Sequence, residues 1–410
     1  MQNRTVLCKI AAIVIVWMCG DHVIAETETI VVLGQDWGCA SDEASQILQA
    51  EEIRYALGDQ VQYLQTLTAV LDKNPANRLA LFMRAKAEME MGLMDKADRD
   101  LQKLEAAVGE TAGLREARAD YWEILGNRDK RLAALENRAN KEYADPQQLA
   151  RFKASIERNK AMILELRGDV AGAVAARKKI LDEGDPQWRV FDVMAYARFW
   201  VRQGEYSKAA DLYKGVVDLL QKQRQEGVYS WLTADYAHAL WATGKRAEAC
   251  SASDDSLSEL ISARNIDRDV IARSALALRV LSRQGGKDMD KQKADAAWPK
   301  AVELCPKGAP YSLASVVLTL DGKVPMKEEI ERVEKVLKAA PNLDWALWAA
   351  MYLYLSGTEE ARPLAKYLPE KSIQRRIVEV EEKAASSVGK PFPPAPASPP
   401  SAGGLVIPEG

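Results

Sequence analysis

The feature that most constrains the fold of this chain is a glycine that returns at a regular spacing along most of its length. It occurs at Gly58, Gly92, Gly126, Gly168, Gly204, Gly244, Gly285, Gly322 and Gly357. The successive spacings are 34, 34, 42, 36, 40, 41, 37 and 35 residues. A period of this size is typical of stacked helix pairs, in which each pair packs only on its neighbours. The sequence therefore predicts an all-α chain that extends along one axis, although its 410 residues would otherwise suggest several compact domains.

The unit around Gly92 shows why the glycine is expected between two helices. Apolar residues recur at three- and four-residue steps before and after it: Leu81, Phe82, Ala85 and Met89, then Ala97, Leu101 and Leu104. This spacing predicts two amphipathic helices. Glycine adopts the left-handed backbone that ends a helix and lets the chain reverse. Pro75, which stops a preceding helix, closes the unit before.

Small residues recur at fixed distances from these glycines. Seven residues before a glycine stand Ala85, Ala119, Ala161, Ala197, Ala237 and Ala350; five residues after one stand Ala97, Ala173, Ala209 and Ala249. In these positions the sequence resembles the tetratricopeptide repeat family, over roughly residues 42–386. The resemblance implies a right-handed α-solenoid of about nine helix-turn-helix units. Leu278 and Ser315 stand where two of the later units would carry the small residue, so helix packing there is expected to differ.

The two flanks differ in composition from the repeats. Residues 1–25 combine Arg4 and Lys9 with a short apolar run and end at Ala25, which predicts a signal peptide and export to the periplasm. Residues 26–41 are expected to be extended. Residues 387–410 are rich in proline and are expected to form an open, disordered tail. No later stretch is long and apolar enough to predict a membrane span.

Export would leave three cysteines, of which Cys39 is remote from the other two. An oxidising compartment permits a disulfide between Cys250 and Cys305, which fall on the second helices of neighbouring units. The alternative interpretation is that both are small buried apolar residues.

Composition and motifs argue against several classes of function. The net charge of −3 and the pI near 5.8 disfavour a nucleic-acid binder. His238 is the one histidine after the predicted signal, and no cysteines are spaced for zinc, so neither a histidine-based catalytic site nor a metal or cofactor is expected. Asp120, Glu123 and Glu165 could supply paired carboxylates, but acidic residues on amphipathic helices usually form a solvated face. The sequence predicts a protein without catalytic residues.

The resemblance also implies which residues face the concave side of the solenoid. In the family these lie 13, 10, 6, 3 and 2 residues before the glycine, on the first helix of each unit. The candidate partner-binding residues at such positions are Phe82, Lys86, Met194, Arg198, Arg202, Trp231, His238, Trp241, Arg279 and Arg283. Aromatic residues beside arginines often anchor partners. The alternative is that the tryptophans fill seams between units and the arginines pair with neighbouring carboxylates.

These features together predict a periplasmic scaffold that binds a protein or peptide partner, with acidic contacts, in its concave groove. Cell-envelope assembly, secretion and polysaccharide export are suitable settings for such a scaffold. The second hypothesis is a regulatory or inhibitory subunit of an exported enzyme. Partner identity and oligomeric state are not indicated by the residues.

Overall fold

A computed structural model of the chain shows an array of helices. It describes residues 31–32, 35–36, 45–50, 60–109, 111–143, 146–184, 189–223, 228–262, 268–283, 288–305 and 311–387. The predicted signal peptide, the proline-rich tail, Cys39, Gly58 and Gly285 lie outside these residues. A two-residue antiparallel ladder, Val31–Val32 (β1) with Gln35–Asp36 (β2), precedes the helices.

Most of the described chain consists of antiparallel helix pairs that follow one another in order. Residues 45–50 are helical, and Gln60–Lys73 (α1) is the second helix of that first unit. Seven pairs come next within the described part: Arg78–Glu90 (α2) with Met94–Val108 (α3), Ala112–Ile124 (α4) with Arg128–Tyr143 (α5), Pro146–Arg167 (α6) with Val170–Glu183 (α7), Arg189–Arg202 (α8) with Tyr206–Gln223 (α9), Val228–Ala242 (α10) with Arg246–Ser262 (α11), Arg268–Arg283 (α12) with Asp288–Leu304 (α13), and Leu313–Leu320 (α14) with Met326–Ala339 (α15). The predicted all-α solenoid is confirmed.

The periodic glycines form the turns inside these pairs. Gly92 has a φ of 72°, its N–H bonds the Met89 carbonyl, and the next N–H, of Leu93, reaches back to Glu88. This pair of hydrogen bonds closes a helix while the chain reverses. The same two bonds and a positive φ recur at Gly126, Gly168, Gly204, Gly244 and Gly322. One local turn, repeated, therefore sets the period of the array.

The alanines predicted to lie where paired helices touch are all buried. Each of the ten has a relative exposure of 3% or less. A larger side chain would push the two helix backbones apart, because the interior is close-packed. Leu278 and Ser315, which replace the alanine in two units, are buried as well. Ser315 donates a hydrogen bond to the buried carboxylate of Glu329 on the paired helix, at 2.5 Å, so a polar contact replaces the close approach there.

The last unit departs from the repeat. Its first helix, Asp344–Leu355 (α16), is followed after Gly357 by a 3₁₀ helix, Glu359–Tyr367, which contains Pro363. A final helix, Ile373–Ser387 (α17), ends the described chain. α16 has no polar stripe, and nearly all of its side chains are buried. A helix that is apolar on every side must be enclosed by protein.

α16 is enclosed because it lies against the concave side of the earlier units. Trp345 donates its indole N–H to the Glu90 carbonyl at 2.8 Å, and the Asn342 N–H donates to the Ile124 carbonyl at 3.0 Å. Further along the helix, Tyr352 is hydrogen-bonded to His238. These partners are separated by more than a hundred residues of chain. The superhelix therefore curves around its own C-terminal unit.

Two glycine substitutions separate the cost of the local turn from the cost of this long-range packing. A Cβ at Gly204 would meet no atom within 4 Å, so Gly204→Ala costs only the strained backbone, about 1 kcal/mol. A Cβ at Gly92 would lie 2.9 Å from a Val336 methyl on α15, so Gly92→Ala should destabilise the protein more. Thermal unfolding of both variants checks the order. Equal losses would contradict the packing of α15 on the Gly92 turn.

Candidate functional site

The concave surface formed by the first helices α2, α4, α6, α8, α10 and α12 is called the groove below. The structure buries the apolar residues that were predicted to face a partner there. Phe82 and Trp241 have no exposed surface, and Met194 and His238 are 2% and 1% exposed. Within this structure these four side chains contact the rest of the chain and offer no area to a partner. The side chain of Trp231 lies outside the part that the structure describes.

His238 connects the groove to α16. Its Nδ1 lies 2.6 Å from the Ala234 carbonyl, and its Nε2 lies 2.5 Å from the Tyr352 hydroxyl. Because a carbonyl can only accept, Nδ1 carries the proton of the neutral ring, and Nε2 accepts from Tyr352. The ring also packs edge-on against Trp348, with 4.4 Å between centroids. Burial, together with the nearby charge of Arg273, lowers the pKa of His238 to about 3.

Trp241 connects the groove to α17. Its indole N–H donates to Glu381 at 2.7 Å, and Arg246 donates to both oxygens of the same carboxylate, at 2.7 and 3.1 Å. The Glu381 side chain is completely buried. Arg376 of α17 also donates to the Ala242 carbonyl, at 3.2 Å. The groove side of α10 is therefore covered by the chain itself.

The groove arginines of α8 remain partly exposed, although each is paired. Arg202 makes two hydrogen bonds to Glu165, at 2.6 and 2.9 Å, and Arg177 makes a third, at 3.0 Å. Burial alone would raise the pKa of Glu165, but the bonds and charges of the two arginines outweigh it and hold that pKa below its ordinary value. The carboxylate is thus kept ionised between two guanidinium groups.

Arg198 belongs to a second cluster of the same design. It donates to Asp235 at 3.1 Å, and Arg273 contacts the other oxygen of that carboxylate at 2.7 Å. The charges of both arginines keep the pKa of Asp235 low in spite of its burial. Arg273 also lies over the Trp348 ring of α16, 4.3 Å from its centroid. Four arginines thus share two carboxylates.

The start of α16 brings a further carboxylate toward these arginines. Asp344 is exposed to solvent in the groove, and its charge acts on Arg198. Although its side chain reaches solvent, the protein atoms around Asp344 partly desolvate the carboxylate and raise its pKa, against the opposing charge of Arg273. The side chains of Arg198 and Arg202 are still 44% and 38% exposed. They form the open, basic part of the groove.

The remaining predicted groove residues lie outside this cluster. Lys86 stands over the Phe82 ring, 5.7 Å from its centroid, and its charge acts on Asp120 of the next unit. Burial raises the pKa of Asp120 to about 7, with Lys86 opposing the shift. Arg279 stacks on Trp298 at 3.9 Å, and burial, followed by the charge of Arg283, lowers its pKa to about 10. The structure therefore does not bring all the predicted arginines together.

The disulfide that the sequence left possible is not formed. Cys250 and Cys305 are free, buried thiols, which corrects the suggestion of a bridge. Burial raises the pKa of Cys250 to about 11 and that of Cys305 to about 12. Thiols with such pKa values are not nucleophilic at neutral pH. Both cysteines serve as small packing residues, which was the alternative interpretation.

A separate cleft of about 300 Å³ lies outside the groove, between α3, α4 and α5. Trp122 forms one wall, with the Lys130 ammonium 4.1 Å from its ring centroid. Arg118 lines another side and is paired with Asp98 and Glu105. The cleft is basic, but its cations already have partners within the chain.

The carboxylates that organise the groove were missed as partners when the sequence was analysed. Glu165 was considered only as a catalytic candidate, and Asp235, Glu381 and Tyr352 were not singled out. A signal existed in the last unit. The residues 10 and 6 before Gly357 are Leu347 and Met351, which is unusual for a solvated groove face. Both are buried, so an apolar groove face marked the unit that is enclosed by the others.

No protein-family model matches the chain, and no curated protein is significantly similar to it. Solved structures of similar architecture include a tetratricopeptide repeat protein from Parabacteroides merdae, with 16% identity, 68% of this chain and 98% of that chain covered, and a TM-score of 0.39. The P58(IPK) TPR domain has 18% identity, covers 85% of this chain and 99% of its own, and has a TM-score of 0.23.

A third similar structure is a signal-transduction ATPase with a tetratricopeptide repeat sensor from Pyrococcus horikoshii. It has 14% identity, covers 85% of this chain and 48% of its own, and has a TM-score of 0.38. At these scores the superpositions carry no argument about a site. The description of the fold rests on the helix pairs, glycine turns and buried alanines of this chain itself.

Among the described residues, no three or more His, Cys, Asp or Glu side chains lie together in a way that could hold a metal ion. The helices in that part of the chain are too short or too polar to span a bilayer.

The buried neutral His238 should make stability depend on pH. Its pKa is lowered to about 3 in the folded state, against 6.5 when unfolded, so the unfolded chain binds a proton first as the pH falls. The stabilisation is complete above pH 6.5 and is lost by about 1.4 kcal/mol per pH unit below it. Between pH 7.5 and 5, the free energy of unfolding of the wild type should therefore fall by about 2 kcal/mol more than that of His238→Gln.

Urea unfolding of both proteins across this pH range measures the difference. The comparison isolates His238, because other groups, such as Asp120, titrate equally in both proteins. A difference between the two proteins that does not change with pH would contradict a neutral, buried imidazole.

Proposed function

We propose that this protein is a non-catalytic scaffold that binds a protein or peptide partner in the open, basic part of its groove. The observation that carries the proposal is the pair Arg198 and Arg202, one helical turn apart on α8 and still 44% and 38% exposed. Arg198 is paired with Asp235 and Arg202 with Glu165, and both side chains keep this exposed area beside their carboxylate partners. Arginines in a concave, partly desolvated site are frequent anchors for partner residues.

The positive charge of this part of the groove indicates that the partner contributes acidic groups. Four arginines share two carboxylates in this part of the groove, so a positive excess remains beside Asp344. An acidic side chain or a chain-terminal carboxylate is the group that this exposed positive charge would attract, because guanidinium groups form strong, charge-assisted hydrogen bonds with carboxylates. The partner is therefore proposed to make acidic contacts here.

The state of the carboxylates supports a binding role over catalysis. Glu165 is held ionised by Arg202 and Arg177, and Glu123 is paired with Arg131 at 2.6 Å. Neither is placed as an unengaged acid or base. The pKa of Asp120 is raised to about 7 mainly by burial; the charge of Lys86 opposes this shift, and the charges of Glu116 and Glu123 add to it. Paired and hydrogen-bonded groups of this kind are ordinary in structural ion-pair networks.

The location of the protein is proposed from residues 1–25. Their charged start, apolar run and small residues before Glu26 support export to the periplasm, and cell-envelope assembly, secretion or polysaccharide export would then be the setting. Expression with this segment in a bacterial host should yield a periplasmic protein that begins at Glu26. Intact-mass measurement decides this, and a cytoplasmic protein that keeps residues 1–25 would contradict it.

The alternative function is a regulatory or inhibitory subunit of an exported enzyme. It would use the same arginines, but would bind one soluble enzyme with fixed stoichiometry. A scaffold of envelope assembly should instead be recovered with membrane-associated proteins after crosslinking in cells. The identity of the crosslinked proteins therefore separates the two.

Replacing both exposed arginines should weaken partner binding without unfolding the protein. In Arg198→Gln/Arg202→Gln, Asp235 keeps Arg273 and Glu165 keeps Arg177, so neither buried carboxylate is left without a partner. Capture of the crosslinked partner should fall at least about 10-fold, because two charge-assisted contacts are lost. Quantitative mass spectrometry measures the capture, and circular dichroism checks the fold.

Lys179→Gln/Lys214→Gln is the matched control. It removes the same charge from the second helices α7 and α9, where the two side chains are 62% and 58% exposed. The control should capture the partner as the wild type does. Equal loss in both variants, or no loss in either, would overturn the assignment of the site to Arg198 and Arg202.

A further inference from the structure

The last helix, α17, has the form of a bound amphipathic helix. Its buried residues lie at three- and four-residue steps along one face: Gln374, Ile377, Val378, Glu381 and Ala385. The opposite face carries charged residues, including Glu379, whose side chain is 43% exposed. Unlike α16, which is apolar all round, α17 could be exposed to water as a free helix with only one apolar stripe. Of the two described helices that lie against the groove, α17 is therefore the one that could leave it without exposing apolar residues on every side.

The contacts of α17 with the groove are specific and polar. At the centre of its buried face stands Glu381, where packing alone would favour an apolar residue. Its carboxylate accepts hydrogen bonds from Trp241 of α10 and Arg246 of α11, both at 2.7 Å. Arg376, one turn and a half earlier, donates to the Ala242 carbonyl at the C-terminal end of α10. The indole N–H and the guanidinium both bind a carboxylate, so the site favours an acidic residue at this position in addition to an apolar face of fitting shape.

The ion pair between Glu381 and Arg246 holds α17 in the groove only weakly. Burying a carboxylate and a guanidinium costs desolvation energy that their attraction only roughly offsets, so the net stabilisation from the pair is small. The ion pair therefore contributes more to the specificity of the contact between α17 and the groove than to its stability. α17 is also the last described element, and terminal elements of a repeat array open first because they have fewer neighbours.

We propose that α17 is a built-in competitor for a second docking site in the groove, and that the competing ligand is an acidic amphipathic helix of a partner protein. The site consists of Trp241 and Arg246, with the apolar surface under Ile377 and Val378. A partner helix with a glutamate between apolar residues makes the contacts that Glu381 makes now. This inference goes beyond the proposed function, because the site is distinct from Arg198 and Arg202 and is regulated by the chain itself.

The test starts from the full chain, with a specific protease sequence inserted in the exposed turn at residues 369–371, between the 3₁₀ helix and α17. Cleavage turns α17 from a tethered into a free ligand without removing it. The probe is a fluorescent synthetic peptide with the sequence of residues 371–387. Fluorescence anisotropy should show that the peptide replaces α17 in the cut protein. In the uncut protein, binding should be at least about 10-fold weaker, because the tether gives α17 a high effective concentration.

Two altered peptides make the test specific. A peptide with Glu381→Ala should bind at least about 10-fold more weakly, since Trp241 and Arg246 lose their shared partner. A peptide with Glu379→Ala removes the same charge from the exposed face and should bind like the unaltered sequence. Equal binding of the two would show that the carboxylate is not what the site recognises.

Other outcomes also overturn the proposal. If the cut protein holds α17 without exchange, or loses its helical structure on cutting, α17 is an integral part of the core. If the cut protein forms dimers, measured by light scattering, the occupant is α17 of a second copy and not a partner helix. None of these results depends on Arg198 and Arg202, so failure here leaves the test of the proposed function unaffected.

Discussion

The enclosure of α16 is the constraint on which the rest of this structure depends. A helix with tryptophan, leucine and tyrosine on every side cannot stand in water, so protein must surround it. The earlier units enclose it: the Glu90 carbonyl accepts from Trp345 near one end of α16, and His238 is hydrogen-bonded to Tyr352 near the other. The array is therefore not an open spiral in the described region. It is wound around its own C-terminal unit, and both the occupied and the open parts of its groove follow from this.

Charge occupies the part of the groove that α16 leaves open. Glu165 and Asp235 each lie between two arginines, an arrangement that satisfies buried carboxylates while the side chains of Arg198 and Arg202 stay partly exposed. In water these ion pairs would contribute little to stability, and their value lies in fixing where each side chain points. The groove thus has three parts. One is filled by α16, one is open and basic, and one is covered by α17, whose Glu381 bonds Trp241.

Part of this arrangement could be predicted and part could not. Counting from each glycine correctly placed Ala85, Ala197 and Ala237 between helices, because the contact of two paired helices is set within about 40 residues of sequence. The same count assigned Trp241 and His238 to the concave face. It could not say what lies opposite that face, since Glu381 and Tyr352 are more than a hundred residues away and a count within one unit does not indicate contacts with a distant unit. A disulfide between Cys250 and Cys305 stayed open at the sequence level for a related reason: spacing along the array indicates nearby units, but does not decide whether two thiols bond, and in the structure both are free.

The sequence by itself determined the local architecture: where each helix ends, which glycine turns the chain, and which small residues let paired helices approach. These depend on backbone conformation and on side-chain size over a few turns, which are written in consecutive residues. Only the tertiary structure decided how the groove is used. Whether Trp241 meets a partner or Glu381 depends on how far the superhelix curves, and that curvature is the sum of small rotations between units, which no single repeat encodes.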